Sequence, residues 1–417
     1  MSALIILAVV FILVAVRQAG FLRLHINLHI WQIMLLGALT ALLTGAIAPV
    51  DALRAVNFDV IFFLAGMFVV GTALHDSGYL EELSHLFFSR ARSTGVLVCL
   101  ILFVMGMLSV FLMNDTVAII GTPLVLTYAD RHNMPHKLML LALCFAVTIG
   151  SVASPMGNPQ NLIIAGAVAS PFIVFFKYLL IPTFINLFLA YVVLKIFYRD
   201  AFHKNQLECF EANPVDRKLA FLSKLSMLVI SALAGVKIVL VLAGAGFDFK
   251  LSWIALIAAC VPLAFSPKRW RILKGIDWAT LVFFAAMFVL MDAVWRSGAL
   301  QYALKEWFSR DGLLSSTDFI LAASVIVSQF VSNVPFVAMY LPLLKGAAAS
   351  NAAMMALAAG STIAGNLFIL GAASNVIIIQ NAERKGHTLT FLEFARVGLP
   401  LTVVNVLVYW VYLRWMG

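Results

Sequence analysis

Thr148-Ile149-Gly150-Ser151-Val152-Ala153-Ser154-Pro155-Met156-Gly157-Asn158-Pro159-Gln160-Asn161 interrupts an apolar segment covering residues 138–166. A run so long and so apolar otherwise describes one membrane-crossing helix. Pro155 and Pro159 lack amide donors and crowd the preceding turn, and Gly157 lies between them. An unpaired main-chain group in hydrocarbon costs several kcal/mol. An unwound turn at that depth therefore survives only against a polar cavity or a bound ion. The interruption has a counterpart in Thr362-Ile363-Ala364-Gly365-Asn366-Leu367-Phe368-Ile369-Leu370-Gly371-Ala372-Ala373-Ser374-Asn375. An offset of 214 sets Thr148 on Thr362, Gly157 on Gly371 and Asn161 on Asn375.

Composition agrees with a membrane solvent. Of 417 residues, 63% are hydrophobic and 11% charged, with a mean hydropathy of +1.03. No water-soluble fold of this size buries so much apolar surface, which implies an all-α polytopic membrane protein. Strands of a β-barrel would show short alternating segments, and there are none. The first apolar run has neither a basic n-region nor a small-residue cleavage site, so no signal peptide is expected. Cys99, Cys144, Cys209 and Cys260 are widely spaced, which supports neither a disulfide framework nor a clustered metal site. The net charge of +9 sits in loops, where it sets topology and does not indicate a nucleic-acid partner.

Apolar spans are expected near 2–16, 28–48, 57–75, 138–166, 170–197, 219–243, 251–266, 278–295, 352–380 and 396–416. Two more apolar stretches, 95–130 and 313–346, are interrupted at Asn114-Asp115-Thr116 and Ser332-Asn333-Val334-Pro335. Each reads as a re-entrant hairpin with a polar tip; two full spans apiece would be short for the bilayer core. Phe63-Leu64-Ala65-Gly66-Met67-Phe68 matches Phe283-Phe284-Ala285-Ala286-Met287-Phe288 at offset 220, and Ser77-Gly78 matches Ser297-Gly298. Asn114 falls on Asn333 and Pro123 on Pro342 at offset 219. Each half thus holds five transmembrane helices and one hairpin. Five is odd, so the second half enters the bilayer upside down, as an inverted repeat with its broken helices at the midplane. The halves are residues 1–200 and 217–417, joined by a cytoplasmic linker over 201–216.

Charge bias orients the chain. About 19 Lys and Arg collect on one side against 8 on the other, and the richer side is cytoplasmic by the positive-inside rule. Both termini then face outward from the inner membrane. Residues 78–92 and 298–312 read as amphipathic helices at the interface.

Four elements should converge near the midplane: two hairpin tips and two helix breaks. They supply Asn114, Thr116, Ser151, Ser154, Asn158, Asn161, Ser332, Asn333, Asn366, Ser374 and Asn375, with Gly157 and Gly371 in the breaks and unpaired carbonyls beside them. Amides, carbonyls and helix N-termini bind small ions without a permanent protein charge; the same groups also serve as glue between helices. A sodium ion could take oxygens from Asn114, Asn161, Asn333 and Asn375. Asp115 stands apart, because an intramembrane acid is costly and is functional by default. It suits H⁺ or Na⁺ coupling, or else it caps a half-helix N-terminus. Asp59 and Asp277 read as interfacial caps. Asp292 and Lys237 read as paired or snorkelling charges. The eight histidines show no metal-like spacing, and no Walker motif, hydrolytic triad or other cofactor site is present.

At these residues the chain resembles the ion-transporter superfamily: ArsB-type arsenite permeases, NhaD-type antiporters, and the divalent anion–sodium symporters and citrate transporters. The resemblance rests on Asn114-Asp115-Thr116 with Thr122-Pro123, on Gly157-Asn158-Pro159-Gln160-Asn161, on Ser332-Asn333-Val334-Pro335 and on Gly371-Ala372-Ala373-Ser374-Asn375. In the divalent anion symporters a Ser-Asn-Thr at both tips holds sodium and substrate carboxylate. Here the tips read Met113-Asn114-Asp115 and Ser332-Asn333-Val334, and the Asn-Asp tip is closer to the arsenite and antiporter branches. The resemblance implies a homodimer with a fixed scaffold and a moving transport domain.

The resulting expectation is a non-enzymatic secondary transporter working by alternating access. It would move a small anion or its neutral acid, of the arsenite, oxyanion or carboxylate class, with H⁺ or Na⁺. The alternative is a Na⁺/H⁺ antiporter with Asp115 as the shared carboxylate. An enzyme would need a nucleophile or paired acids in one cavity, and the sequence offers neither.

Overall fold

The structure is a computed structural model describing residues 5–10, 12–13, 30–79, 82, 91–203, 216–242, 249–298, 313–383 and 385–416. Part of the first apolar span, most of the two amphipathic stretches and most of the linker fall outside them. No strand occurs among the described residues. In chain order the helices are α1 (Ile30–Leu43), α2 (Pro49–Ala55), α3 (Phe58–Ser77), α4 (Thr94–Phe111) and α5 (Asn114–Arg131). Then come α6 (His136–Ser151), α7 (Pro159–Ala165), α8 (Pro171–Phe197), α9 (Arg217–Leu242), α10 (Leu251–Phe265) and α11 (Arg269–Lys274). The chain closes with α12 (Trp278–Arg296), α13 (Thr317–Val331), α14 (Asn333–Gly346), α15 (Asn351–Ile363), α16 (Ala373–Glu383) and α17 (Phe391–Met416).

Six described helices are long and apolar enough to cross a bilayer: α3, α4, α8, α9, α12 and α17. Bilayer contact explains the stripe that α17 leaves exposed, at Leu392, Leu399, Val403, Leu407, Val411 and Trp415. The chain is a multi-pass membrane protein. Local signals set the helix ends. Asn57 Oδ1 accepts from Val60 N at 3.2 Å and Asp277 Oδ1 from Thr280 N at 3.0 Å, each capping its helix start. Gly78 (φ 70°) and Gly298 (φ 66°) follow α3 and α12 in the left-handed conformation that glycine adopts most readily.

Packing comes in reciprocal pairs. Helix α3 packs on α10 while α1 packs on α12; α5 packs on α16 while α7 packs on α14. Helices α4 and α5 enclose α6, and α13 and α14 enclose α15. Helices α6 and α15 are buried on all faces from Leu138 to Ser151 and from Ala352 to Ile363, which is the pattern of a core helix. Both run into the interrupted stretches, so the breaks lie in the interior.

The charged residues inside apolar helices find partners. Arg296 bridges Asp292 at 2.5 Å and Asp51 at 3.3 Å, and Lys237 Nζ donates to Phe249 O at 2.5 Å. Asp59 pairs with Lys250 at 2.7 Å.

Candidate functional site

The first break opens where α6 stops at Ser151 and closes at Pro159, the first residue of α7. A proline costs nothing at that position, because its missing N–H has no partner there anyway. Asn158 caps α7 by accepting from Asn161 N at 2.9 Å. The Asn161 amide then sews the break shut, donating to the carbonyls of Ser151 (3.1 Å), Val152 (3.2 Å) and Ser154 (3.0 Å). Its partner in the second break behaves alike: Asn375 Nδ2 donates to Gly365 O at 2.6 Å, and Gln329 Nε2 to Ala364 O at 2.9 Å. Thr362 Oγ1 joins the breaks, accepting from Asn158 Nδ2 at 3.2 Å and donating to Asn161 Oδ1 at 3.4 Å. Removing the amide in Asn161→Ala strands buried carbonyls. It is expected to cost on the order of 3 kcal/mol, read as a lower melting temperature in detergent; an unchanged melt would deny the stitch.

The hairpin tips differ. Leu112 and Met113 separate α4 from α5, whereas Ser332 alone turns α13 into α14, at a φ of 69° that non-glycine residues rarely adopt. Asn114 N donates to Gly157 O at 2.9 Å, which docks the first tip on the first break. Asn114 Nδ2 reaches Ser374 Oγ at 3.4 Å, at the start of α16.

A cavity of about 360 Å³ lies where the tips and breaks meet, within the size range of small-molecule sites. Asn114, Asp115, Gln160, Ser332, Asn333, Asp277, Thr280 and Gln380 supply its polar wall, and Trp31, Phe283 and Phe284 its aromatic one. Residues at the starts of α5, α7, α14 and α16 all line it. Four helix N-termini thus border one space, each carrying roughly +0.5 charge of helix dipole, although Asn114 N and Asn161 N are already taken by Gly157 O and Asn158 Oδ1. No Lys or Arg is among the described lining residues. A second cavity of about 330 Å³ shares Asp115, Asp277 and Ile377 with the first and runs past Thr116 toward His75 and Asp76. Asp76 is held there by Arg271 at 3.0 Å.

Of the residues expected from sequence, Asn114, Asp115, Ser332 and Asn333 line the main cavity and Thr116 the adjoining one. Ser154, Gly157, Asn158, Asn161, Gly371, Ser374 and Asn375 are packed behind it. Asn366 turns elsewhere: it donates to Asn405 Oδ1 at 2.9 Å, and Asn405 donates to Asn186 Oδ1 at 2.8 Å. Asn186 and Asn405 correspond at the same offset of 219 as the hairpin tips, a signal present in the sequence and unread there. Gln160, Gln329 and Thr280 also escaped the sequence reading. Asp277 caps α12 as expected and in addition lines both cavities. The buried oxygens Asn333 Oδ1, Asn366 Oδ1, Asn375 Oδ1 and Gln329 Oε1 have no hydrogen-bond donor.

The model of a family described as citrate transporter matches residues 6–354. An uncharacterized transporter of Mycobacterium bovis is 28% identical over 375 residues, covering 86% of each chain. The silicon efflux transporter LSI3 of Oryza sativa subsp. japonica is 27% identical over 433 residues, covering 89% of each. Among solved structures, the Alcanivorax borkumensis YdaH transporter superposes with a TM-score of 0.58 at 16% identity, over 88% of this chain and 87% of that one. That likeness establishes a shared fold.

Proposed function

Because the chain belongs to the citrate transporter family, we propose that it is a secondary carrier for a small anion or the neutral acid of one. The cargo is of the arsenite, oxyanion or carboxylate class and crosses the inner membrane coupled to H⁺ or Na⁺. The observation that carries the reading is the convergence of four helix N-termini on a cavity whose described wall has no basic side chain. Dipole ends attract an anion, while Asp115 and Asp277 oppose one that arrives bare. The wall therefore suits an anion accompanied by a cation or proton, or an acid already neutral. A relative named for silicon efflux supports the inclusion of oxyacids.

In this reading the transport site comprises Asn114, Asp115, Ser332 and Asn333 at the tips, with Thr116 beside them. Ser154, Gly157, Asn158, Asn161, Asn366, Gly371, Ser374 and Asn375 form the frame that holds them. Asp115 takes the coupling proton or sodium, since it stands where the two cavities meet. The donorless oxygens of Asn333 and Asn375 support a sodium ion in the second half, with Asn114 and Asn161 as the matching pair. Hard oxygen donors of this kind hold Na⁺ without a protein charge.

The halves 1–200 and 217–417 form an inverted repeat with a linker at 201–216. Reciprocal packing of α3 on α10 with α1 on α12, and of α5 on α16 with α7 on α14, supports it. The helix pairs α4–α5 and α13–α14 are then re-entrant hairpins entering from opposite faces, with both termini outside the cytoplasm. Alternating access moves the hairpins and breaks against a scaffold that pairs with a second copy.

Two acids and no base among the described lining residues of one cavity also favour a second reading, a Na⁺/H⁺ antiporter with Asp115 as the shared carboxylate. Proteoliposomes loaded with a pH dye separate the two. Proton flux that requires an added oxyanion or carboxylate is the expected result. Alkalinisation driven by Na⁺ with no anion present would replace the carrier reading with the antiporter.

A further inference from the structure

A cluster at the ends of three helices is left unused by the transport site. Asp130 lies in the last turn of α5, His136 opens α6, and His387 follows α16 in the loop to α17. The two imidazole rings stack with centroids 3.7 Å apart and planes within 15°. Both present Nε2 to one carboxylate oxygen: Asp130 Oδ1 is 2.5 Å from His136 Nε2 and 3.6 Å from His387 Nε2. The three donor atoms all lie within 4.8 Å of one another. Distance along the chain is what concealed the cluster, since no local spacing joins His136 to His387.

The surrounding fold holds the ligands in place. Gly386, at φ 81°, ends α16 in the left-handed turn, and His387 N donates to Ala382 O at 3.0 Å. Lys137, beside His136, pairs with Glu393 at the start of α17, so the two histidine-bearing segments are tied independently of any ion. Around a tetrahedral ion, bonds of roughly 2.0–2.1 Å place donor atoms about 3.3 Å apart. The 3.6 Å pair is already near that spacing. His136 must back away from Asp130 and tilt out of its stack on His387 so that both ring nitrogens aim at one ion, and its partly exposed ring has room to do so.

We propose that Asp130, His136 and His387 form a three-ligand site for a divalent transition-metal ion of the zinc class, with a fourth position open to water. Two imidazole nitrogens exclude magnesium and calcium, which take oxygen, and one carboxylate completes a ligand set that suits zinc. A bound ion joins the outer end of the first helix pair, the entry to the first break and the exit from the second. The inference is independent of which solute the protein moves.

Zn²⁺ is titrated calorimetrically into the purified full chain, carrying an affinity tag without histidine. One equivalent is expected to bind and raise the melting temperature, and Co²⁺ is expected to give the visible absorption of a four-coordinate ion. Combining His136→Gln with His387→Gln should weaken binding by more than the roughly 10- to 100-fold that loss of a mere supporting partner produces. Lys385→Ala, a neighbour that is no ligand, should bind as the parent does. Asp130→Asn, which keeps both rings, should weaken binding and alter the Co²⁺ spectrum. Absence of a Co²⁺ spectrum in the parent, or equal Zn²⁺ affinity in the double variant at an unchanged elution volume, overturns the site.

Discussion

Asp115→Asn is expected to reduce coupled flux in proteoliposomes to that of empty vesicles, with elution volume and melting temperature unchanged. The substitution preserves shape and keeps the backbone contact from Asp115 N to Asn114 Oδ1, at 2.9 Å. What it removes is the ionisable group at the junction of both cavities. An acid in a membrane interior is retained at a cost of about 2.5–3.5 kcal/mol even on insertion scales, so losing it does not threaten folding. Exchange of labelled solute across vesicles at equal concentrations should survive better than uphill flux, because an amide still closes the wall but cannot carry the proton. Flux with unchanged magnitude and pH dependence would remove Asp115 from the mechanism.

Gly157→Ala should be strongly damaging, costing about 3 kcal/mol or more, at the upper end of overpacking penalties. A Cβ there would lie 2.3 Å from Ser151 O and 2.9 Å from Ser109 O, both main-chain atoms of well-packed helices. Any shift that relieves the clash also pulls Gly157 O from Asn114 N and frees the first tip. Gly371→Ala should cost less. Its Cβ would meet Ala364 O at 2.6 Å, and the next neighbour, Gln329 Oε1 at 2.9 Å, ends a side chain that can rotate away. Melting temperatures in detergent for both variants test the order; a milder Gly157→Ala would contradict the rigid packing around the first break.

Interruptions were legible in the sequence because proline and glycine act locally: Pro159 starts a helix and Gly157 admits a close approach wherever they stand. Offsets between the halves were legible too, since a duplication keeps residue types at fixed distances. How Asn161 and Asn375 spend their amides was not. Sequence placed them as ligands facing a solute, and the fold turns their nitrogens onto Ser151, Val152, Ser154 and Gly365 carbonyls. That choice depends on which backbone groups packing leaves unpaired, and no residue pattern encodes it. Asp277 read as a helix cap because capping is a contact within a few residues; its place on the cavity wall comes from the starts of α5, α7, α14 and α16 gathering beside the start of α12. Long-range juxtaposition likewise hid Gln160 and the Asn186–Asn405 pair.

The donor ends of α5, α7, α14 and α16 also constrain what happens when nothing is being carried. In the proposed carrier, shutting that chamber dry would strip solvent from whichever helix-start amides the Asn114 and Asn158 side chains and Gly157 O leave uncovered. On that proposal, some ballast, whether cargo or a few waters, rides inside through every closure.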